Sequence, residues 1–161
     1  MQDTSTIKKE YKLWLLLYQV RDIFLAAREK ELQKQVGITA EQSQILIVVN
    51  AIGNEATPAE IARWTLRKPH TISGILNRME KAGLVKKSKD LPRKNMVRVA
   101  ITKRGQQAYS KALEADSISR IISSLSEEKY QQLKSCLEIL REKGLTEIGL
   151  DIDKVPSFES L

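Results

Sequence analysis

Hydrophobic positions recur every three to four residues along most of the chain, which is the period of an α-helix. From residue 7 to about 34, Ile7, Tyr11, Trp14, Leu15, Tyr18, Phe24 and Leu25 keep that spacing. Leu13, Leu16, Leu17 and Val20 fall on its other sides, so this helix needs cover on more than one flank. Gly37 is placed to stop it. Thr39-Ala40-Glu41-Gln42 has the form of a capping box, with Thr39 as N-cap and Gln42 at N3. The helix it opens carries Ile45, Leu46, Val48, Val49 and Ile52 and closes at Gly53. Thr57-Pro58-Ala59-Glu60 is a stronger start: Thr57 caps, Pro58 takes the first helical position and Glu60 completes the box. That helix is short, Pro58 to about Trp64, because a break follows at Thr65 to Lys68. Pro69 restarts a helix that reaches Ala82, and Gly83 ends it.

The period then changes to two. Leu84 and Val85 open an extended run, and Val97, Val99 and Ile101 alternate with Met96, Arg98 and Ala100 as in a half-buried strand. Ser88 to Asn95 is the polar loop between them. Thr102 caps a fifth helix expected to reach about Ser124. Ser126, with Glu127 and Glu128 in the first turn, caps a sixth. Tyr130, Leu133, Leu137 and Leu140 line one face of that helix, and Gly144 is expected to end it. Residues 145–161 have no clear period and read as an arm or a partly disordered tail. The expected fold is mostly α with a small β-hairpin wing. Short helix, turn and helix make a helix-turn-helix, the hairpin directly after it makes a winged helix, and long helices flank the unit.

Composition removes several functional classes. The single Cys136 can form neither an intramolecular disulfide nor a cysteine zinc cluster. The single His70 rules out a multi-histidine metal site and leaves little for a histidine relay. No carboxylate pair, nucleophile–base set or phosphate-cradling glycine loop is apparent, so an enzyme is the weakest reading, and no cofactor or metal is expected. No stretch approaches the ~18 apolar residues of a membrane span. Leu13 to Tyr18 lies between Lys12 and Arg21 with no small-residue cleavage site behind it. The expectation is a soluble, cytoplasmic chain. Aromatics make up 5%, too few for a single-strand stacking platform.

The net charge of +7 favours an anionic partner, and its distribution names one. From Ile61 to Gly105 there are thirteen basic residues and two acidic ones, a net +11, which leaves −4 for the rest of the chain. An amphipathic membrane helix would set lysines beside an exposed apolar face. Here Ile72, Ile75, Leu76 and Met79 have core spacing instead. The other face of the Pro69–Ala82 helix carries His70, Thr71, Ser73, Gly74, Asn77, Arg78 and Lys81. Short polar groups can reach base edges, glycine permits close approach, and the cations suit flanking phosphates. Arg67 and Lys68 in the turn join this set. A merely solvated helix face is the alternative, weighed down by the +11 segment and the hairpin. Lys89, Arg93, Lys94 and Asn95 at the hairpin tip suit the minor groove, against the alternative of a solvated turn.

The stretches Thr57 to Ala62, His70 to Val85 (with Arg78-Met79-Glu80-Lys81-Ala82-Gly83-Leu84-Val85) and Ile101-Thr102-Lys103-Arg104-Gly105 resemble the MarR family of transcriptional regulators. The likeness spans about residues 7 to 143. It implies a homodimer built from the first and last long helices, with two winged-helix lobes on double-stranded DNA. Recognition helices would enter successive major grooves, and wings the flanking minor grooves. On this likeness residues 1–37 form an N-terminal dimerisation helix and 38–104 the DNA-binding domain. Residues 105–144 form C-terminal dimerisation helices and 145–161 a C-terminal arm or tail. Tyr11, Trp14, Leu15, Tyr18, Tyr130, Leu133, Leu137 and Leu140 become the dimerisation residues. His70, Thr71, Ser73, Gly74 and Asn77 match the base-reading stretch, and Arg93 and Lys94 fall near the wing-tip arginine. One departure concerns the wing. The family often has Asp-Arg-Arg where this chain reads Arg93-Lys94-Asn95, and Asp90 stands three residues earlier. The carboxylate that usually braces the tip arginine is displaced.

Three smaller features complete the reading. Cys136 is taken as structural rather than redox-active. His70, at the start of the recognition helix, is taken as a phosphate or base contact rather than a switch. Core packing is preferred for Trp14, Tyr18 and Trp64 over an effector pocket, and no group identifies an effector. The expected function is a sequence-specific, double-stranded-DNA-binding regulator of transcription, a homodimeric repressor on a pseudo-palindromic operator, open to release by a small-molecule effector. The alternative is a winged-helix module for protein assembly or nonspecific nucleic-acid binding.

Overall fold

The computed structural model describes residues 7–91 and 96–160. Seven α-helices and one hairpin occur among them: α1 Lys9–Gln35, α2 Ala40–Ile52, α3 Pro58–Thr65, α4 Pro69–Lys81, β1 Val85–Ser88, β2 Arg98–Ile101, α5 Lys103–Glu114, α6 Ser117–Ile122 and α7 Glu127–Glu147. The helix starts follow their caps. The Thr39 hydroxyl accepts from Gln42 N at 3.0 Å, and the Gln42 side chain accepts from Thr39 N at 2.9 Å. Thr57 caps α3 through Glu60 N at 3.2 Å. The stops at Gly37, Gly53 and Gly83 are left-handed, at φ of 75°, 74° and 71°.

One core holds the winged-helix unit. Ile45, Leu46, Val48 and Val49 of α2 meet Ile61 of α3, the inner face of α4, Val85 of β1 and Val99 of β2. Ala108 and Ala112 of α5 and Leu32 of α1 close it. The hairpin is antiparallel, with Val85 opposite Ile101 and Lys87 opposite Val99. Ser88 lies in β1 rather than in the loop, and β2 begins at Arg98 rather than Val97. The Ala56 carbonyl accepts from Val99 N at 2.7 Å, which ties the entry of α3 to the hairpin.

Three further expectations are corrected. The fifth helix does not run through to Ser124. It ends at Glu114, Ala115 is extended (ψ 125°), and α6 begins at Ser117. Two residues of α1 hold this break. The Arg28 guanidinium donates to the carbonyls of Ala112 (2.6 Å) and Ala115 (3.0 Å), satisfying the end of α5. The Glu31 carboxylate accepts from Asp116 N (3.3 Å) and Ser117 N (2.8 Å), satisfying the start of α6. Secondly, Gly144 does not end α7. The helix continues to Glu147, and the left-handed residue is Gly149, at φ 74°. Thirdly, the tail is placed. Leu145 and Val155 are buried, and Arg141 donates to the carbonyls of Val155 and Pro156 at 3.2 and 3.1 Å. The Phe158 ring meets Trp64 of α3 edge-on, centroids 5.7 Å apart. Arg63 donates to the Lys154 carbonyl at 3.0 Å. Residues 151–159 therefore strap α7 to the outer face of α3.

Candidate nucleic-acid interface

The recognition face rests on the α3–α4 turn. Thr65 donates its hydroxyl to the Ile61 carbonyl at 2.8 Å, and Leu66 turns the chain with a left-handed φ of 52°. A non-glycine residue there is uncommon and marks a sharp corner. Pro69 then starts α4. Burial of Ile72, Ile75, Leu76 and Met79 orients the helix, so its remaining side chains point outward. His70, Thr71, Ser73, Asn77 and Arg78 are exposed, Gly74 is half-buried, Lys68 is exposed and Arg67 half-buried. The structure thus brings eight of the sequence-derived DNA residues onto one continuous face. A Cβ at Gly74 would meet only the end of the Arg78 side chain, at 3.8 Å. Protein packing therefore does not demand glycine at this position. Arg93, Lys94 and Asn95 lie outside the described residues.

Two residues that contact this face, Glu41 and Lys87, are not among the site residues the sequence points to. Glu41 at the start of α2 pairs with Arg67 through one oxygen and lies 3.6 Å from Arg78 through the other. Lys87 of β1 donates to the Asn77 side-chain oxygen at 2.5 Å and pairs with Glu80 at 3.1 Å. Its backbone N–H also donates to Glu80, at 3.1 Å. Hydrogen bonding from Lys87 holds the Glu80 carboxyl below the usual carboxylate range. A sequence signal existed for Lys87. Strand alternation puts it on the same side as buried Val85 and opposite buried Val99. A lysine in that position must run its stem along the core and send its charge outward. Asp90, the displaced carboxylate, accepts from the Ser88 hydroxyl at 2.9 Å and lies 3.1 Å from Arg98 Nε. It braces the base of the wing.

The flanking helices expose what the winged-helix unit buries. Within α1 only Leu32 is buried, and within α7 only Leu145. Tyr11, Trp14, Leu15 and Tyr18 are all at least half exposed, and Tyr130, Leu133, Leu137 and Leu140 are exposed as well. Core packing of Trp14 and Tyr18 is therefore not what the protomer shows: their rings contact one another, centroids 5.9 Å apart, in solvent. Only Trp64 is packed as expected, half-buried against the tail. Cys136 lies exposed on α7 in the protomer. A cleft of 710 Å³ lies between α1 and the start of α2, lined by Arg21, Asp22, Leu25, Glu29, Glu41, Gln44 and Arg67 among others. No single helix among the described residues is long and apolar enough to cross a membrane.

A two-stranded wing behind a polar-faced second helix defines a winged helix-turn-helix DNA-binding protein. The MarR family model matches residues 36–92. The organohalide-sensing transcriptional regulator RdhR-CbdbA1625, solved with 2,4-dichlorophenol bound, is 31% identical with a TM-score of 0.81, over 90% of this chain and 86% of that one. Reduced AbfR bound to DNA is 28% identical with a TM-score of 0.70, over 86% of this chain and 94% of that one. A mutant of MarR from E. coli complexed with operator DNA shares the fold at 19% identity and a TM-score of 0.77, over 84% of this chain and 99% of that one. No curated protein sequence matches the chain. The chain belongs to the MarR family and is a DNA-binding transcriptional regulator.

Proposed function

We propose that the protein is a homodimeric repressor that binds a pseudo-palindromic operator and is released by a small-molecule effector. The exposed apolar faces of α1 and α7 carry this reading. Contiguous apolar surface of that extent marks an interaction site, and self-association is the commonest way to cover it. Two α4 helices related by a two-fold axis then read two half-sites. Arg67, Lys68 and Arg78 take phosphates, and His70, Thr71, Ser73 and Asn77 face base edges, with Gly74 permitting close approach. Arg93, Lys94 and Asn95 serve the minor groove. The effector site is the cleft between α1 and α2. Its wall includes Arg67, so an occupant there touches a side chain of the DNA face. The RdhR-CbdbA1625 complex supports a small phenolic occupant. Residues 1–37 and 105–144 serve dimerisation and 38–104 serves DNA binding, in the cytoplasm.

Sedimentation velocity at micromolar concentration, with and without a duplex, tests the assembly. A dimer that binds one duplex as a unit is expected. A monomer, or independent binding of single protomers, contradicts it. A protein-assembly role without DNA reading would instead show a dimer with no duplex affinity.

A further inference from the structure

The winged-helix unit is held to the flanking helices at two places. At the first, Arg28 and Glu31 of α1 hold the α5–α6 break. The second is the strap of residues 151–159, whose groups serve α7 and α3 in turn. On the α7 side, Arg141 donates to the Val155 and Pro156 carbonyls, and Lys134 pairs with the Glu159 carboxylate. Lys134 and Arg141 are two turns apart on one face of α7. On the α3 side, the Lys154 carbonyl accepts from Arg63 at 3.0 Å, and the Phe158 ring lies edge-on to Trp64. Arg63 and Trp64 stand at the end of α3, just before the left-handed corner at Leu66 that turns the chain into α4. Ile61 of α3 and the inner face of α4 share one core, and such interiors are close-packed, so a shift at this end of α3 carries α4 with it. Leu145 is the one buried residue of α7. The strap, rather than packing by α7 itself, therefore joins α7 to the DNA-binding unit.

We propose that the strap determines half-site spacing: it fixes the α3–α4 corner against α7, and so fixes the separation at which two α4 helices can read DNA together. A body held at one place can pivot about it, and a second attachment removes that freedom. The demand on the lobes is geometric. One added base pair moves a half-site by about 3.4 Å along the duplex and turns it by about 34° around the axis. A lobe held at both places cannot follow that turn and loses contacts in one half-site. A lobe held only through Arg28 and Glu31 can follow it. Its greater freedom is lost on binding, at a cost that applies at every spacing. The strap thus shapes specificity without touching DNA. This inference rests on the homodimeric reading above, because spacing has meaning only for a pair.

The test uses full-length protein and three duplexes, read by fluorescence anisotropy. One duplex carries the inverted repeat that the wild type selects from a random pool. The others carry the same half-sites with one base pair added or removed between them. The wild type is expected to bind the altered spacings about tenfold more weakly. Phe158→Ala severs the strap from α3, and Arg141→Met severs it from α7. Each is expected to reduce that penalty to about threefold or less, with a loss of only about threefold at the original spacing. Phe158→Tyr keeps the ring and should keep the wild-type penalty. Thermal melts and sedimentation show that each variant is folded and dimeric, and acrylamide quenching of Trp64 in a Trp14→Phe background shows that the strap has opened. If dimeric variants with an open strap bind all three duplexes more weakly by one common factor, the strap only stabilises the fold and the inference is overturned. A wild type that binds single half-sites as a monomer instead refutes the homodimeric reading, and this inference with it.

Discussion

Gly105 closes the Ile101-Thr102-Lys103-Arg104-Gly105 motif, and its packing accounts for the glycine. The start of α5 sits on the Gly83–Leu84 corner that follows the recognition helix. Thr102 donates its backbone N–H to the Leu84 carbonyl at 3.1 Å and its hydroxyl to Gly83 at 2.5 Å. The Thr102 oxygen in turn caps Gly105 N at 3.0 Å. A Cβ on Gly105 would stand 1.9 Å from the Leu84 carbonyl oxygen and 2.8 Å from the Ile101 side chain. The first of these neighbours is backbone, so relief requires α5 to lift and its bonds to the corner to lengthen. Overpacking of this kind costs about 1–3 kcal/mol, and each weakened hydrogen bond adds about 0.5–1.5 kcal/mol. Gly105→Ala should therefore lose about 3 kcal/mol, a fall in Tm of roughly 6–12 °C for a chain of this size. Gly144→Ala is the matched control. That position is helical, and a Cβ there would meet nothing within 4 Å. It should gain about 0.5–1 kcal/mol. Circular dichroism melts of the two variants beside the wild type measure both. A Gly105→Ala protein that melts with the wild type would refute the packing argument.

Four further outcomes are expected. Hydrogen bonds from Ser117, with the Arg120 and Arg28 charges adding, hold the Glu31 carboxyl below its ordinary value of 4.5. Its contribution to stability is complete above that unfolded value and is lost as pH falls through the lower folded value, so Glu31→Gln should flatten the acid limb of a Tm-against-pH curve. Phe158→Ala should cost about 1 kcal/mol and increase quenching of Trp64 emission by acrylamide, measured in a Trp14→Phe background. Leu15→Arg should shift the protein to a monomer in sedimentation, while the wild type remains dimeric. Asn77→Ala should lower the ratio of operator to random-duplex affinity by roughly tenfold, measured by fluorescence anisotropy, with smaller loss on random DNA.

Local chemistry was readable where it decides structure locally. Thr39, Thr57, Thr102 and Ser126 cap their helices because each has its partner N–H three residues away. The α5–α6 break was not readable, because its causes lie in α1. Arg28 and Glu31 reach it from more than eighty residues away, and tertiary bonds override the local helical period. Gly144 looked like a stop since the sequence does not distinguish a tolerated helical glycine from a left-handed one. The tail looked unstructured because its order comes from Trp64, Arg63 and Arg141 rather than from a period of its own. In the site, the outward face of α4 followed directly from its buried spacing. The Glu41 and Lys87 contacts did not, since both join separate elements across the DNA face. The α1 and α7 apolar faces were legible as apolar, and the protomer shows that no segment of the chain among the described residues covers them.

The central claim is that two copies of α4, held by the α1 and α7 faces, read DNA as a pair. Selection of bound duplexes from a random pool by the wild-type protein tests it most directly. The account predicts an inverted repeat with half-site centres about one helical turn, roughly 10 base pairs, apart. Enrichment of isolated half-sites, or of no common sequence, would contradict it.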